Sequence, residues 1–248
     1  LCDRRQRQMC IRDRYKEELG KEFNMAKILV YNNNTNRMET YYRGESEGMP
    51  YNSNRTLKVG EFRGSSNSGL LWTDRRAMQA WNSFRYIYGR PIYVGFAFKR
   101  PWEGGHGTFS QHYAGVAFDV GQNLTNTQRN EMRNLAISSG IWNFVEPANL
   151  TPRWVHFDER QVATRYPLLR SGSRGVYVCI LQDALTTLGY DTGGLDGVFG
   201  TKTRSSVISY QSKNGLSQDG IVGNLTWNKI MPDVVGKGAS STTVLPTI

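Results

Sequence analysis

Residues 195–203 read LDGVFGTKT, and the same pattern returns at residues 218–226 as QDGIVGNLT. Each copy contains Asp-Gly, two apolar residues, a second Gly, and a Thr three positions later. The glycines allow a tight turn, and the residues after each copy favour a helix. A further apolar helical stripe precedes the first copy. Residues 168–231 are therefore predicted to form three short helices joined by two similar turns.

Residues 25–166 carry mixed helix and strand signals and many aromatic and Asn residues. One helix is predicted to start at a cap on Thr73, and a capping box at Thr125 opens a second helix. Short strands are predicted around these helices, and the last two form a hairpin between residues 143–146 and 153–158. The fold class expected from this pattern is α+β, with a small antiparallel sheet and flanking helices.

Four segments are expected along the chain. Residues 1–24 are excluded from the fold, because their start resembles a translated sequencing adapter; a native basic arm is the alternative. Residues 25–166 are the expected first domain, and residues 167–232 are the expected second, three-helix domain. Residues 233–248 are rich in Gly, Ser and Thr and are expected to form a flexible tail.

The chain is basic, with a formal net charge of +10 over 248 residues. This charge favours an anionic partner, either nucleic acid or an anionic cell wall. Nucleic acid is not expected, because no nucleic-acid-binding motif is present and part of the charge lies in residues 1–24. No apolar run approaches the roughly 20 residues of a membrane helix, and no signal peptide is visible after Met25, which leaves the export route open.

Two of the three histidines lie in a metal-binding pattern. His112 and Asp119 stand in the stretch SQHYAGVAFD at residues 110–119, and His156 follows in WVHFD at residues 154–158. Two imidazoles and one carboxylate suit a catalytic Zn²⁺ that keeps one position open for water. Such a water can lose its proton near neutral pH and attack a carbonyl.

Both stretches resemble the motifs of the zinc D-Ala-D-Ala carboxypeptidase family and its endopeptidase relatives, which are peptidoglycan hydrolases. The resemblance implies that His112, Asp119 and His156 are the metal ligands and that the cofactor is Zn²⁺. It also implies hydrolysis of peptide bonds in bacterial peptidoglycan, with D-Ala-containing bonds as the family expectation.

The general base is not given by the motif, because this chain departs from the family there. Many members carry an acid three residues before the last ligand, where this chain has Arg153, and others carry a His where Trp154 stands. Glu146 is the first candidate, since the predicted hairpin would return it beside His156; a surface carboxylate beside a turn is the alternative. Asp158 shares a strand face with His156 and is the second candidate, with orientation of His156 as its alternative role.

Two further residues near the first motif are candidates. The family uses an Arg before that motif to hold a substrate carboxylate or the developing oxyanion, and Arg100 is nearest to that place. A solvated Arg after a strand is the alternative. His106 lies in a Gly-rich loop and either lines the cleft or is an exposed loop histidine.

Residues 168–231 resemble the peptidoglycan-binding type 1 domain, through the stretch LRSGSRG at residues 169–175, the two Asp-Gly turns and Trp227. The resemblance implies peptidoglycan as the partner, bound by a domain that raises the effective concentration of the catalytic site at the wall. The expected place of action is therefore the cell wall or the extracellular space, and the expected state is a monomer.

Two functions remain open from the sequence. The first is a zinc metallopeptidase of the carboxypeptidase or the endolysin-like endopeptidase kind, held at the wall by its second domain. The second is a non-catalytic peptidoglycan-binding protein with a degenerate metal site, which the missing acid at position 153 supports.

Overall fold

The computed structural model describes residues 25–52 and 54–238, which form seven strands, six α-helices and one short 3₁₀ helix (Pro101–Glu103). The predicted non-native segment at residues 1–24 and the end of the predicted tail, residues 239–248, lie outside the described residues. The strands are β1 (Met25–Asn32), β2 (Arg37–Gly44), β3 (Leu70–Asp74), β4 (Val94–Phe96), β5 (Ala117–Val120), β6 (Phe144–Val145) and β7 (Val155–Asp158). The helices are α1 (Val59–Arg63), α2 (Arg75–Tyr88), α3 (Asn126–Ser139), α4 (Val176–Thr187), α5 (Thr201–Lys213) and α6 (Asn224–Val234). The architecture is a mixed α+β fold, and no helix among these residues is both long and apolar enough to cross a membrane.

The first sheet has three strands in the order β2-β1-β3. Strands β1 and β2 form an antiparallel hairpin, whereas β1 and β3 are parallel. Because the sequence predicted only one antiparallel sheet, this mixed sheet is an addition to the expected fold. Strand β2 gave no signal because its residues are half-buried or exposed on both faces, without the alternation that marks a one-sided strand.

The second sheet has four strands in the order β4-β5-β7-β6, and every neighbouring pair is antiparallel. The predicted hairpin is present as β6 and β7. Strand β5 pairs with β7 so that Asp119 lies directly opposite His156. The sheet thus brings together two side chains that are far apart in the sequence.

Of the two predicted caps in the first domain, the one at Thr125 is confirmed and the one at Thr73 is wrong by one residue. Asp74, one residue after the predicted cap, accepts a hydrogen bond from the Arg76 N–H and starts α2. The Thr73 hydroxyl is instead buried and donates to the Gly115 carbonyl at 2.7 Å. Helix α3 has the predicted capping box, in which Thr125 and Gln128 exchange hydrogen bonds.

Gly115 lets the chain pass very close to β3 just before β5. Its φ is +67°, and a Cβ at this position would lie 2.0 Å from the Trp72 carbonyl oxygen. Trp72 also donates its indole N–H to the Tyr113 carbonyl at 2.8 Å. This close approach fixes the segment that carries His112 against the first sheet.

The C-terminal domain consists of α4, α5 and α6, and buried glutamines explain its repeated turns. Gln182 donates from Nε2 to Asp196 and to the Val198 carbonyl, at 2.8 and 3.1 Å. Its Oε1 accepts from the Gly197 N–H at 2.8 Å. Gln211 makes the equivalent three hydrogen bonds in the second copy. Each turn is therefore closed by an amide side chain from the preceding helix, which satisfies buried backbone groups.

The two domains share one continuous cluster of buried apolar side chains. The Arg100 guanidinium of the first domain forms a buried ion pair with Asp183 on α4. After α6, the backbone N–H of Gly236 donates to the Pro101 carbonyl at 3.1 Å and that of Gly238 donates to the Trp102 carbonyl at 2.9 Å. The predicted tail is thus corrected over residues 233–238, which end α6 and bond to the first domain.

Candidate metal centre

His112 presents a bare ring nitrogen to a carboxylate. Its Nδ1 lies 3.0 Å from the Ala97 carbonyl oxygen, which only accepts, so Nδ1 carries the proton. Its Nε2 is buried, has no hydrogen-bond partner among the described residues, and lies 3.3 Å from Asp119 Oδ2. A spacing of about 3.3 Å is also that of two ligands on a tetrahedral ion with bonds of about 2.0 Å. An unpaired nitrogen lone pair facing a carboxylate fits a shared cation.

His156 approaches the other oxygen of the same carboxylate. Its Nδ1 lies 2.7 Å from Asp119 Oδ1, and its Nε2 lies 2.9 Å from Asp158 Oδ2. Burial lowers the pKa of His156, but the hydrogen bonds to Asp119 and Asp158 outweigh it and raise the pKa to about 9. Burial likewise acts to raise the pKa of Asp119, but the nearby His112 imidazole and the hydrogen bond from His156 hold it well below its ordinary value. The structure therefore brings the three expected ligands together around the Asp119 carboxylate.

His106 is a third imidazole at the same place. Its ring lies 4.4 Å from the ring of His112 and 4.1 Å from that of Phe96, measured between centroids. Ligand atoms of His106, His112 and Asp119 lie within 4.8 Å of one another. Burial, followed by the proximity of His112, lowers the pKa of His106 to about 4, so the imidazole is neutral at neutral pH. Of the two alternatives for His106, the structure favours the cleft.

A cleft of about 570 Å³ opens in front of these side chains. Its lining is Phe96, Gly105, His106, Gly107, Thr108, Phe109, Ser110, Gln111, His112, Asp119, Gln122, Glu146, Trp154, His156 and Arg160. Glu146 reaches the cleft because its backbone N–H donates to the His156 carbonyl at 2.9 Å. Its carboxylate has no hydrogen-bond or ion-pair partner within residues 25–52 and 54–238.

Asp158 lies behind His156 and is absent from the cleft lining. It is fully buried and accepts from the Arg160 backbone N–H at 2.9 Å and from the Arg160 guanidinium at 2.6 Å. This placement favours orientation of His156 over direct contact with a substrate. Arg160 itself lines the cleft over the Phe144 ring, and the sequence reasoning missed it. Its one local signal was its position two residues after Asp158, at the end of the second motif.

Arg100 does not reach the cleft. Its side chain is almost completely buried, and its guanidinium bonds to Asp183 and lies 3.3 Å from the Ser68 hydroxyl. The Arg100 guanidinium carbon lies over the rings of Trp72 and Trp102, 5.6 Å from each ring centroid. The guanidinium is thus committed to the domain interface, and the cationic side chain that lines the cleft is Arg160.

Glu159 is a buried carboxyl next to this site. Burial raises its pKa to about 7 from the ordinary 4.5, although a hydrogen bond from the Asn143 N–H acts to lower it. Between these two pH values the folded protein holds a proton that the unfolded chain has lost, so the free energy of unfolding falls as pH rises. We expect Glu159→Gln to flatten this fall, measured by urea unfolding at about pH 5 and about pH 8. Glu131→Gln, on the exposed face of α3, should keep the wild-type slope, and equal slopes in both variants would contradict the assignment.

Residues 174–230 match the model of the peptidoglycan binding domain family. The chain carries a peptidoglycan-binding domain. The matched residues lie inside the predicted second domain and include both repeated turns. This peptidoglycan-binding domain supports peptidoglycan as the partner and association with the cell wall.

Similar proteins share a segment of about the size of one domain with this chain. An uncharacterized protein of Kitasatospora aureofaciens is 42% identical over 69 residues, which are 27% of this chain and 58% of that protein. The N-acetylmuramoyl-L-alanine amidase CwlM of Mycobacterium tuberculosis is 48% identical over 46 residues, 18% of this chain and 11% of the amidase. The chain thus spans less than two thirds of the length of each of these curated relatives.

Two solved structures are similar to this chain over a segment of about the same length. A peptidoglycan-binding protein from Clostridioides difficile, in complex with glutamine hydroxamate, is 42% identical, with 29% of this chain and 45% of that chain covered and a TM-score of 0.28. A Burkholderia AP3 phage endolysin is 38% identical, with 26% and 25% covered and a TM-score of 0.26.

Proposed function

We propose that the protein is a zinc-dependent peptidase that hydrolyses peptide bonds in bacterial peptidoglycan. The observation that carries this proposal is the convergence of His112, Asp119, His156 and Glu146 on one cleft. Two imidazoles and one carboxylate form the donor set of a catalytic zinc site, and a further free carboxylate faces the same space. The peptidoglycan-binding domain at residues 174–230, together with the relatives named as an amidase and an endolysin, supports a peptidoglycan substrate.

The donor atoms of His112 and Asp119 fit a zinc ion, and His156 approaches the other oxygen of the same carboxylate. The Nε2 of His112 is buried and unpartnered among the described residues, and it points at Asp119, whose other oxygen faces His156. Asp158 accepts from His156 on its far side, which is the way a carboxylate commonly orients a metal-ligating imidazole. When bound, the ion would polarise the scissile carbonyl and favour deprotonation of a water.

Glu146 is the proposed general base. Its backbone is fixed to β7 by the hydrogen bond to His156, and its carbonyl accepts from the Arg133 guanidinium at 3.1 Å. The carboxylate is only partly buried, so it can exchange protons with water in the cleft. It would take the proton of the attacking water and pass it to the leaving amine. Arg160, the guanidinium that lines the cleft, is the proposed contact for a carboxylate of the peptide stem.

Digestion of purified peptidoglycan, followed by mass spectrometry of the muropeptides, tests the proposal. We expect new peptide termini with the full chain, no new termini after treatment with a chelator, and recovery when Zn²⁺ is restored. His112→Ala should abolish cleavage while retaining sedimentation with the wall, because residues 174–230 are unchanged. Cleavage by His112→Ala at the wild-type rate would contradict the assignment of the site.

A non-catalytic wall-binding protein is the second candidate, and Arg153 is the observation that favours it. The family acid is absent at this position, and His156 is already paired with two carboxylates. In that case the wild-type chain would sediment with peptidoglycan and release no new termini at any zinc concentration.

A further inference from the structure

We propose that His106 is a ligand of this metal centre, in addition to the residues that the two sequence motifs supply. The inference rests on the proposed function, because it concerns the same ion. It adds a donor from the loop between β4 and β5, outside both metal motifs, and makes four protein donors, so that the water of the proposed peptidase would occupy a fifth position. The ligand class is a divalent ion that prefers imidazole, such as Zn²⁺ or Co²⁺.

The distances among the donor atoms support this role. Nitrogen and oxygen atoms of His106, His112 and Asp119 lie within 4.8 Å of one another, and two ligands of a tetrahedral zinc ion are about 3.3 Å apart. The adjustment needed is therefore about 1.5 Å or less for any pair. No other set of three His, Cys, Asp or Glu side chains in residues 25–52 and 54–238 meets the same distance limit.

The ring nitrogens of His106 are available for a ligand. No hydrogen bond to either nitrogen is formed within the described parts of the chain, whereas both nitrogens of His156 are bonded to carboxylates. The neighbouring Nε2 of His112 is buried and likewise without a hydrogen-bond partner there. Two imidazoles with unengaged nitrogens thus face one carboxylate, an arrangement that a cation would satisfy.

The loop that carries His106 is held firmly enough to place a ligand. The His106 carbonyl accepts from the Tyr113 hydroxyl at 3.1 Å, and Phe96 packs against the imidazole ring. On the preceding side, Gly104 touches the backbone of Gly236, so that a Cβ on Gly104 would lie 2.6 Å from the Gly236 Cα. The loop is therefore fixed from both its own domain and the end of α6.

Metal affinity of the full chain tests the inference directly. We expect His106→Ala and His106→Phe to lower the affinity for Zn²⁺ at least 10-fold, in a competition titration against a chromophoric chelator. The Phe variant keeps an aromatic ring against Phe96, so a common loss in both variants separates lost ligation from lost packing. Glu131→Gln serves as the control, with unchanged affinity and circular dichroism.

The visible spectrum of the Co²⁺-loaded chain reports coordination without any assay of activity. His106→Phe should shift the d–d bands and change their intensity, because one nitrogen donor is lost. A His106→Phe chain with wild-type zinc affinity and the wild-type cobalt spectrum would overturn the inference, even when its KM for peptidoglycan fragments rises. That result would place His106 at the substrate instead.

The outcomes for the two proposals are distinguishable. Suppose that replacement of His106 lowers the zinc affinity, but the wild-type chain releases no muropeptides. This result would support His106 as a ligand and reject the peptidase. Hydrolysis by the wild type, with zinc affinity that does not depend on His106, would support the peptidase and reject the ligand. A wild-type chain that binds no zinc would reject both.

Discussion

Glu146→Gln is expected to retain zinc and to lose peptidoglycan hydrolysis by 10²–10⁴-fold, the usual cost of a missing general base. The change removes the proton-accepting oxygen and keeps the shape of the side chain. The hydrogen bond that positions residue 146 involves its backbone N–H and is unaffected. Initial rates of muropeptide release, with metal content determined by elemental analysis, measure the effect.

Two variants frame this result. Glu131→Gln makes the same chemical change on the exposed face of α3 and should leave the rate unchanged. Asp158→Asn should lower the zinc affinity about 10–100-fold, because a neutral amide replaces the carboxylate that orients His156. A Glu146→Gln chain with the wild-type rate would exclude Glu146 as the base. Another residue of the cleft would then have to take the proton.

Asp183→Ala is expected to lower the free energy of unfolding by about 3–5 kcal/mol, because it leaves the buried Arg100 without its counter-ion. The side chain of Asp183 is 1% exposed and that of Arg100 is 9% exposed, so water cannot replace the lost partner. Urea denaturation of the full chain, followed by tryptophan fluorescence, gives the change. A single transition is expected, since both domains share one apolar cluster.

An exposed ion pair provides the matched control for this measurement. Lys202 and Asp191 lie 3.1 Å apart with side chains 68% and 75% exposed, so Lys202→Ala should leave the free energy of unfolding nearly unchanged. The double variant Arg100→Met with Asp183→Leu should recover most of the stability, because no unpaired charge remains buried. Equal stability of Asp183→Ala and the wild type would contradict the importance of the pair.

The features that sequence reasoning predicted well are encoded by local patterns. The capping box at Thr125, the hairpin of β6 and β7, and the three C-terminal helices each depend on neighbouring residues. The hairpin also carried the correct expectation that Glu146 would return beside His156. The fixed spacing of the first motif also predicted that His112 and Asp119 would lie close together, because β5 and the preceding turn are continuous in the chain, and His112 Nε2 lies 3.3 Å from Asp119 Oδ2.

The features that were missed depend on partners far away in the chain. Strand β3 pairs in parallel with β1, which lies more than 40 residues earlier, and no local pattern encodes that pairing. Arg100 meets Asp183 across 83 positions, so the sequence could not show that its guanidinium was already engaged. The loop that carries His106 is held by contacts with Tyr113 and with the segment after α6, so the sequence could offer the cleft for His106 only as one of two alternatives.

The junction between the two domains has a consequence for the proposed hydrolysis of peptidoglycan. The ion pair of Arg100 with Asp183 and the hydrogen bonds of the segment after α6 join the two domains. We therefore expect the peptidoglycan-binding domain to keep a fixed orientation relative to the cleft. An attached molecule then reaches bonds at one fixed distance and direction from its point of attachment. Fragments released from an ordered wall should consequently have a narrow size distribution, whereas a freely jointed pair of domains would release a broad one.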